Sequence, residues 1–366
     1  MLPVKFPYGN ITTNSKKKLK NNTIMKKNYL FALGAAGMLL MSSCQNDSMP
    51  TGADAVPVRF SVALPEMQSA TRAFGDGETA KVLHYGVFET FDDNNDGAID
   101  RRVYLKEISS ATTGTKEIAN KKAYVTLTLM PKSNYEVCFW AASSEAPYEV
   151  SFANDEAKVT VNTAKLFSNN ENNDAFFGKG TITNLGFDNG QIIEVGSVVL
   201  KRPFAQLNIG TADYEAAANA GFKVDRTEVL INYGVVCESL NLFNGEASTN
   251  TNRIRYTVNT IPTEAFPVAN YKYISMNYLL VTADAQLAQE TDAITLRYYS
   301  GDRYKERTFS QVPVRRNWRT NIYGELLTNN VGISVSINPL FADKNGVDDD
   351  NKVEPDYNEW YDQPQK

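Results

Sequence analysis

The chain has 366 residues, a formal net charge of −5 at pH 7 and 42% hydrophobic residues. Seven of its 37 basic residues and none of its 42 acidic ones lie in residues 1–43, so the remainder carries 30 basic against 42 acidic residues. Such an acidic chain is repelled by phosphate backbones, which argues against nucleic acid as a partner. Its length exceeds that of one typical domain.

The first predicted element is an export signal. Lys26 and Lys27 follow Met25, and an apolar run of residues 29–41 leads to two small residues before Cys44. Basic, apolar and small residues in this order are typical of a secretory signal peptide. The apolar run is too short to cross a bilayer as a helix, which needs about 20 residues.

The cysteine at the end of this signal indicates a lipoprotein. Its thiol would take a diacylglycerol and become the new N-terminus, so we expect Cys44 to bind lipid of the outer membrane and to display the chain at the cell surface. The alternative is an ordinary signal peptide followed by a chance cysteine. Residues 1–43 are interpreted as a mis-called start plus the signal peptide, and residues 44–55 as a tether.

The rest of the chain is predicted to be all-β. Runs rich in valine, isoleucine, threonine and tyrosine alternate between apolar and polar residues, as half-buried strands do. Many short strands without βαβ alternation favour antiparallel β-sandwiches. The predicted strands are residues 58–64, 123–129, 135–139, 158–161, 226–231, 254–258, 294–298 and 331–337.

One short helix and one domain boundary interrupt the strands. Residues 212–220 have a helical pattern, with Asp213 as the N-cap and Gly221 as the C-terminal stop. Pro203 cannot donate a hydrogen bond within a central strand, so we place a domain boundary there. The predicted parts are a sandwich of residues 56–203, a second sandwich of residues 204–341 and an acidic, flexible tail of residues 342–366.

An acidic loop partly matches a calcium-binding loop. Asp92, Asn94 and Asp96 occupy positions 1, 3 and 5 of that pattern, and Asp100 occupies position 9. The twelfth position, which normally supplies a bidentate glutamate, is Val103. The alternative is a polar hairpin loop. Calcium is the one cofactor that the sequence suggests.

Other chemistry-bearing residues form no recognisable site. Cys138 and Cys237 lie in apolar runs, which leaves a disulfide and two buried free thiols as alternatives. His84 is the only histidine and lies in a strand pattern. No nucleophile elbow, phosphate-binding loop or zinc motif appears. The sequence therefore predicts that the protein is not an enzyme.

Five short segments carry a family resemblance. They are Ser69-Ala70-Thr71-Arg72-Ala73, Asp174-Ala175-Phe176-Phe177-Gly178, Val199-Leu200-Lys201-Arg202-Pro203-Phe204-Ala205-Gln206-Leu207, Met276-Asn277-Tyr278-Leu279-Leu280 and Arg316-Asn317-Trp318-Arg319-Thr320-Asn321-Ile322-Tyr323. Taken in order, they resemble the fimbrillins of Bacteroidetes, which are lipoprotein-derived pilins. The resemblance implies two transthyretin-like β-sandwich domains. It also implies fimbrial subunits that assemble by strand exchange after proteolysis.

The implied assembly needs a first strand that can be removed. The predicted strand of residues 58–64 is followed by a polar loop that contains Arg72, where a trypsin-like protease would cut before Ala73. Loss of the strand would leave an apolar groove for a strand of another subunit. The alternative is a solvated arginine and a strand that stays. We expect a removable strand at the margin of its sheet, and a central position would argue against exchange.

The donor strand is predicted near the C-terminus. Val331, Ile333, Val335 and Ile337 alternate with small or polar residues, which gives the strand one apolar face. The alternative is the last core strand of the second sandwich. The sequence therefore favours a cell-surface subunit that supports adhesion and enters a fimbrium after processing. The competing hypothesis is an intact surface lipoprotein that binds glycans or host proteins.

Overall fold

The computed structural model describes residues 55–65, 74–187, 190–231, 236–249, 253–282, 286–288, 294–310, 312–328 and 333–338. The predictions for Cys44, Arg72, Ala73 and Val331 fall outside these ranges. The lipid anchor and the protease site therefore stay predictions.

The described chain consists mainly of β-strands, as the period-two patterns predict. The strands are β1 (Val56–Ala63), β2 (Val82–Phe91), β3 (Arg101–Tyr104), β4 (Lys116–Glu117), β5 (Lys122–Leu129), β6 (Asn134–Ala142), β7 (Tyr148–Ala153), β8 (Glu156–Val161), β9 (Ala175–Ile182), β10 (Ile193–Val199), β11 (Phe204–Thr211), β12 (Arg226–Ile231), β13 (Cys237–Asn241), β14 (Ala247–Thr249), β15 (Ile254–Thr260), β16 (Lys272–Leu280), β17 (Gln286–Ala288), β18 (Ile294–Ser300), β19 (Arg303–Phe309), β20 (Val312–Val314), β21 (Arg319–Gly324) and β22 (Ser334–Asn338).

These strands form several small sheets, which confirms the all-β prediction. Their orders are β10-β1-β5, β3-β2-β6-β9 with β4 beside β2, β14-β13-β8-β7, β16-β11-β21-β22, β15-β12-β18-β19 and β17-β20. Nearly all neighbours are antiparallel, but β1 pairs in parallel with β10, and β11 pairs in parallel with β21. Parallel neighbours need a long crossover between them, so they join parts of the chain that are far apart in sequence.

The described residues contain two short α-helices where the sequence predicts one. The predicted helix is present as α2 (Tyr214–Asn219), and Gly221 beyond its end has a positive φ of +82°. The additional helix, α1 (Ser110–Thr113), is a single turn. Asp213 lies at the N-cap of α2, but its carboxylate accepts hydrogen bonds from Leu327 and Thr328 instead of capping the helix.

The strand β6 separates two apolar cores. Tyr135, Val137 and Phe139 belong to one cluster of buried residues, whereas Cys138 and Trp140 belong to the other. Successive side chains of a strand point to opposite faces, so both faces of this sheet are covered. This explains why nearly every residue of β6 is buried. The predicted domain boundary near residue 203 stays a prediction.

The two cysteines are free thiols in these cores. Cys138 and Cys237 are both buried, and neither forms a disulfide. Burial raises the pKa of the Cys237 thiol, which keeps it protonated and unreactive. The structure therefore corresponds to the alternative of buried thiols. Trp140 and Trp318 are likewise buried, so they fill the interior rather than offering surfaces for sugar stacking.

Glycines of β9 let this strand pack closely on β1. A Cβ atom at Gly180 would lie 2.5 Å from Cε1 of Phe60 and 2.9 Å from its Cδ1. We expect Gly180→Ala to lower the free energy of unfolding by about 1–3 kcal/mol, because the Phe60 ring must shift within a packed core. Urea unfolding measures this loss.

The matched control for this prediction is Gly186→Ala. No heavy atom lies within 4 Å of the Cβ position at Gly186, so this variant should stay within about 1 kcal/mol of the parent protein. Equal unfolding midpoints for the two variants would contradict the packing of Gly180 against β1.

Candidate functional site: the first strand and the junction after it

The first strand lies in the centre of its sheet. β1 pairs antiparallel with β5 along its whole length, Val56–Ala63, and it pairs in parallel with β10 on its other side. The expectation of a marginal strand is therefore wrong. The local sequence of a strand gives its two faces but not its neighbours, and the β10 partner lies more than 100 residues away. Release of β1 would break two ladders of hydrogen bonds.

The inward face of β1 belongs to the core. Val56, Val58, Phe60 and Val62 are each at most 3% exposed, and they alternate with partly exposed residues. The Phe60 ring packs edge-on against Phe139 of β6, with ring centroids 5.7 Å apart. Burial of four such side chains gives β1 a large share of the apolar contacts of its sandwich.

After β1, the described chain resumes at Phe74, and the next residue, Gly75, contacts a buried ion pair. Arg202 Nε and Nη2 donate to the two carboxylate oxygens of Asp174 at 2.7 Å and 2.8 Å, and both side chains are fully buried. This bidentate geometry is the strongest arrangement for such a pair. Arg202 Nη2 also donates to the backbone oxygen of Gly75 at 2.8 Å.

Two further charged side chains hold the same stretch of backbone. Arg319 Nη2 donates to the backbone oxygen of Phe74 at 2.5 Å, and the amide of Gly75 donates to Glu171 Oε1 at 2.6 Å. The Phe74 ring packs edge-on against Tyr273, with ring centroids 5.4 Å apart. The chain is therefore fixed from Phe74 onward, immediately after the predicted cleavage position.

Four of the five segments that carry the family resemblance contribute side chains to this junction. Asp174 precedes β9, Arg202 precedes β11, Tyr278 lies in β16 and Arg319 begins β21. Each of these four residues comes from a different segment, and the fifth segment ends directly before Phe74. We call Asp174, Arg202, Arg319, Glu171 and Tyr278 the junction cluster. The sequence assigns no individual role to these residues, although a charged residue within an apolar run, such as Arg202, is a signal for a buried ion pair.

Glu171 carries a perturbed carboxyl group in the junction cluster. Its oxygens accept hydrogen bonds from the Gly75 amide and, at 2.8 Å, from the Tyr278 hydroxyl. Burial, followed by the charge of Asp174, raises the pKa of Glu171 from 4.5 to about 8. The folded protein therefore retains a proton that the unfolded chain releases between these two pH values. The resulting stabilisation is complete below pH 4.5 and is lost as the pH rises through 8.

This titration predicts a pH dependence of stability. Between pH 5 and pH 8 the contribution of Glu171 to the free energy of unfolding should fall by on the order of a few kcal/mol. Glu171→Gln carries a permanently neutral side chain and should remove this part of the fall. Urea unfolding of both proteins at the two pH values measures the difference. Parallel pH profiles for the parent protein and the variant would contradict the assignment.

The predicted donor strand lies at an edge of its own sheet. β22 pairs antiparallel with β21, opposing Ile337 to Thr320 and Val335 to Ile322. Ile333 and Val335 are partly buried against the core. This placement corresponds to the alternative of the last core strand. In the described residues β22 has one strand neighbour and β1 has two. Release of the first strand would be easier with the opposite arrangement, in which β1 lies at an edge and has one neighbour.

The acidic loop places its four calcium candidates together on the surface. The Asp92 carboxylate accepts hydrogen bonds from the backbone amides of residues 96 and 97, and the Asp100 carboxylate accepts from those of residues 93 and 94. Asn94 and Asp96 likewise accept from amides of the loop. Among the described residues, no group of three His, Cys, Asp or Glu side chains could hold a metal ion. The calcium hypothesis stays a prediction.

The helices of the described residues are short. None of them is long and apolar enough to cross a membrane.

Comparison with known proteins assigns the chain to a family. One family model matches residues 50–359, which is most of the chain. The chain belongs to the family of unknown function DUF6562. No curated protein matches it. The family therefore gives no activity, and membership of the fimbrillins stays a proposal.

Several solved structures are distantly similar to this chain. A fimbrial assembly protein from Parabacteroides distasonis is 16% identical, with a TM-score of 0.37, and the match covers 77% of this chain and 95% of that one. The fimbrial anchor protein Mfa2 from Porphyromonas gingivalis is 10% identical, with a TM-score of 0.38 and coverage of 77% and 98%. A candidate cell adhesion protein from Bacteroides ovatus is 12% identical, with a TM-score of 0.42 and coverage of 78% and 96%. At these scores the likeness does not assign a function to this chain.

Proposed function

We propose that this chain is a lipid-anchored cell-surface protein of the fimbrial and adhesin type, with no catalytic activity, in which β1 stays an integral strand. The observation that carries the proposal is the central position of β1 between β5 and β10. A strand with two hydrogen-bonded neighbours and a buried apolar face belongs to the stable core of its domain. The intact chain, with its tether attached, is then the functional form.

The export signal supports the surface location. Cys44 lies directly after the small residues that end the signal peptide, so lipid on this residue would hold the folded part at the outer membrane. The tether and the first strand are continuous in sequence. Because β1 is held in the centre of its sheet, a lipid on Cys44 would be joined through the chain to a strand that stays in the fold.

Protease-triggered strand exchange is the second candidate function. A specific observation favours it: the junction cluster fixes the chain from Phe74 onward through contacts that do not involve β1. A cut after Arg72 would therefore separate β1 covalently while leaving the following residues in place. Removal of a central strand leaves a groove with two open edges, so exchange would require an incoming strand that replaces both ladders at once.

The N-terminus of the protein on cells decides between the two candidates. Mass determination of material purified from the cell surface should find lipidated Cys44 as the first residue and a monomeric protein. An N-terminus at Ala73 in oligomers that resist dissociation by detergent would overturn the proposal in favour of exchange. In that case Arg72→Ala should abolish the oligomers, whereas the exposed arginine variant Arg101→Ala should not.

A further inference from the structure

The sheet β10-β1-β5 has two edges of different character. β10 lies at one edge, where its ladder with β1 has a register shift and Gly196 has a positive φ of +103°. Such an irregularity bends an edge strand and hinders further pairing. β5 lies at the other edge and pairs with β1 along its whole length without a shift. β5 is therefore a straight edge strand.

The exposed residues of β5 direct their backbone groups toward this edge. The Leu64 amide donates to the Lys121 backbone oxygen at 2.9 Å, so these two residues form a hydrogen-bonded pair that extends the β1–β5 ladder. Hydrogen-bonded and non-hydrogen-bonded pairs alternate in an antiparallel ladder. The amides and carbonyls of Tyr124, Thr126 and Thr128 therefore point away from β1. Within the described ranges, no hydrogen bond reaches these backbone groups.

Several other edge strands are covered or charged. Backbone amides bond to the outer edges of β3, β9 and β16, and they belong to Asp155, Lys201 and Asn169. The edge strand β19 carries four charged residues. Cover and charge are the usual means by which proteins keep an edge from pairing with another strand. Residues 124–129 of β5 have no charged side chain, and their composition of tyrosine, valine, threonine and leucine favours strand pairing.

The open stretch of this edge has defined ends. Ala119 exchanges two backbone hydrogen bonds with the first residue of β5 and so closes the edge at that point. Beyond the other end, the Tyr135 hydroxyl contacts the Met130 amide at 3.1 Å and the Met130 backbone oxygen at 2.9 Å, so the ladder cannot continue. The open stretch is therefore residues 123–129, and its midpoint is Thr126.

This stretch is complementary to itself. In an antiparallel pair of two β5 strands centred on Thr126, Thr126 lies opposite its own copy and Tyr124 lies opposite Thr128. Each of these three pairs exchanges two hydrogen bonds, so every outward amide and carbonyl of the stretch has a partner. Threonine–threonine and aromatic–β-branched pairs stabilise neighbouring strands. On the inner face Val125 lies opposite Leu127, and no like charges oppose each other.

We propose that two copies of this chain pair through the open edges of β5, which joins their sheets in the order β10-β1-β5-β5-β1-β10. A second copy is the occupant because it supplies matching donors and acceptors in the matching order. The paired area is smaller than the roughly 1,000 Å² of a stable interface, so the dimer is weak and reversible. Anchored chains that share one membrane surface would meet at high local concentration.

The inference goes beyond the proposed function and differs from strand exchange. It keeps β1 in its place and needs no cleavage. Detergent separates such a weak pair, so protein purified from the cell surface remains monomeric.

Sedimentation equilibrium of the mature chain with Cys44→Ser, which prevents lipidation, tests the pairing. We expect a monomer–dimer equilibrium that is measurable at about 0.1–1 mM protein. Thr126→Glu should weaken the dimer by about fivefold or more, because two carboxylates then face each other across the symmetry axis. Arg59 lies opposite Thr126 in β1, so the single chain accommodates the new carboxylate. The matched control is Thr308→Glu, an exposed threonine on the edge strand β19, which should change the equilibrium by less than about twofold.

Cysteine cross-linking tests the register of the pair. Thr126→Cys should form a disulfide-linked dimer under mild oxidation, because the paired Cα atoms lie about 5.5 Å apart. Tyr124→Cys should not, because an offset of four residues places its two copies about 14 Å apart. The double variant Tyr124→Cys/Thr128→Cys should cross-link again. The thiols of Cys138 and Cys237 are buried and therefore do not compete.

A chain that stays monomeric at every concentration and forms no cross-link would overturn the inference. A dimer that Thr126→Glu leaves unchanged would also overturn it, as would equal cross-linking of Tyr124→Cys and Thr126→Cys, since either result places the contact elsewhere. Thermal unfolding of each variant at the temperature of the parent protein shows that the chain is folded. None of these outcomes bears on the surface location, which the N-terminal mass determination tests separately.

Discussion

A chain that begins at Ala73, and so lacks β1, is expected to lose its cooperative unfolding transition. It would expose the core that Val56, Val58, Phe60, Val62 and Leu64 cover. Five such side chains at about 2 kcal/mol each contribute about 10 kcal/mol, which is comparable with the total stability of a typical domain. The two open ladders beside β1 add to this loss. Near-ultraviolet circular dichroism during thermal unfolding measures the transition.

The control for this truncation is a chain that begins at residue 44 with Cys44→Ser. It keeps the tether and β1 but cannot be lipidated, and it should unfold cooperatively. A synthetic peptide of residues 55–65, added to the truncated chain, should restore the transition by filling the groove between β5 and β10. Cooperative unfolding of the truncated chain at the same temperature as the control would contradict the integral role of β1.

Asp174→Ala is expected to destabilise the protein by about 3–5 kcal/mol, because it leaves the buried guanidinium of Arg202 without its bidentate partner. The double variant Asp174→Leu/Arg202→Met removes both charges, so it should recover much of this loss. Urea unfolding of the three proteins measures the free energies of unfolding. A large loss for Asp174→Ala that the double variant recovers would show that the junction cluster joins the backbone at Phe74 and Gly75 to β11 and β21.

An exposed ion pair provides the comparison for the buried one. Glu78 lies 3.6 Å from Lys81 and 3.5 Å from Lys121, and its side chain is 56% exposed. Glu78→Ala should change the free energy of unfolding by at most about 1 kcal/mol, since solvent screens such pairs. If Asp174→Ala were no more destabilising than Glu78→Ala, the junction cluster would have no structural role.

The individual strands of this fold, and the side chains that each strand buries, could be predicted from the sequence. Residues 58–64 and 123–129 alternate between apolar and polar side chains, and both form strands with one buried face, as β1 and β5. The period of the pattern fixes which side chains turn inward, so the core residues of these strands could be predicted. The same is true of the short helix, whose end Gly221 marks.

The neighbours of each strand could not be predicted from these patterns. The alternation in residues 58–64 is the same whether the strand lies at the margin or in the centre, because it depends on the two faces and not on the two edges. The parallel partner β10 is contributed by a distant part of the chain. The central position of β1 is therefore a property of the whole topology. It contradicts the expectation that the first strand lies at the margin of its sheet, where it could be released.

The junction cluster could be predicted only in part. The segments that contain Asp174, Arg202 and Arg319 resemble fimbrillins, but nothing in the sequence indicates that these three residues lie together. Pro203 indicates a domain boundary in the sequence. In the structure the preceding residue, Arg202, is buried and donates a hydrogen bond to the backbone oxygen of Gly75. Glu171 gave no signal, since its perturbed pKa arises from neighbours that folding brings together.

The most direct test of the integral first strand is a single cut made beside it. A recognition site for a specific protease, inserted between residues 65 and 73, would allow the purified folded protein to be cleaved there and then examined by size exclusion. We predict that the fragment carrying β1 stays bound through β5 and β10 and separates only in denaturant. Spontaneous loss of that fragment from a remainder that stays folded would contradict the account.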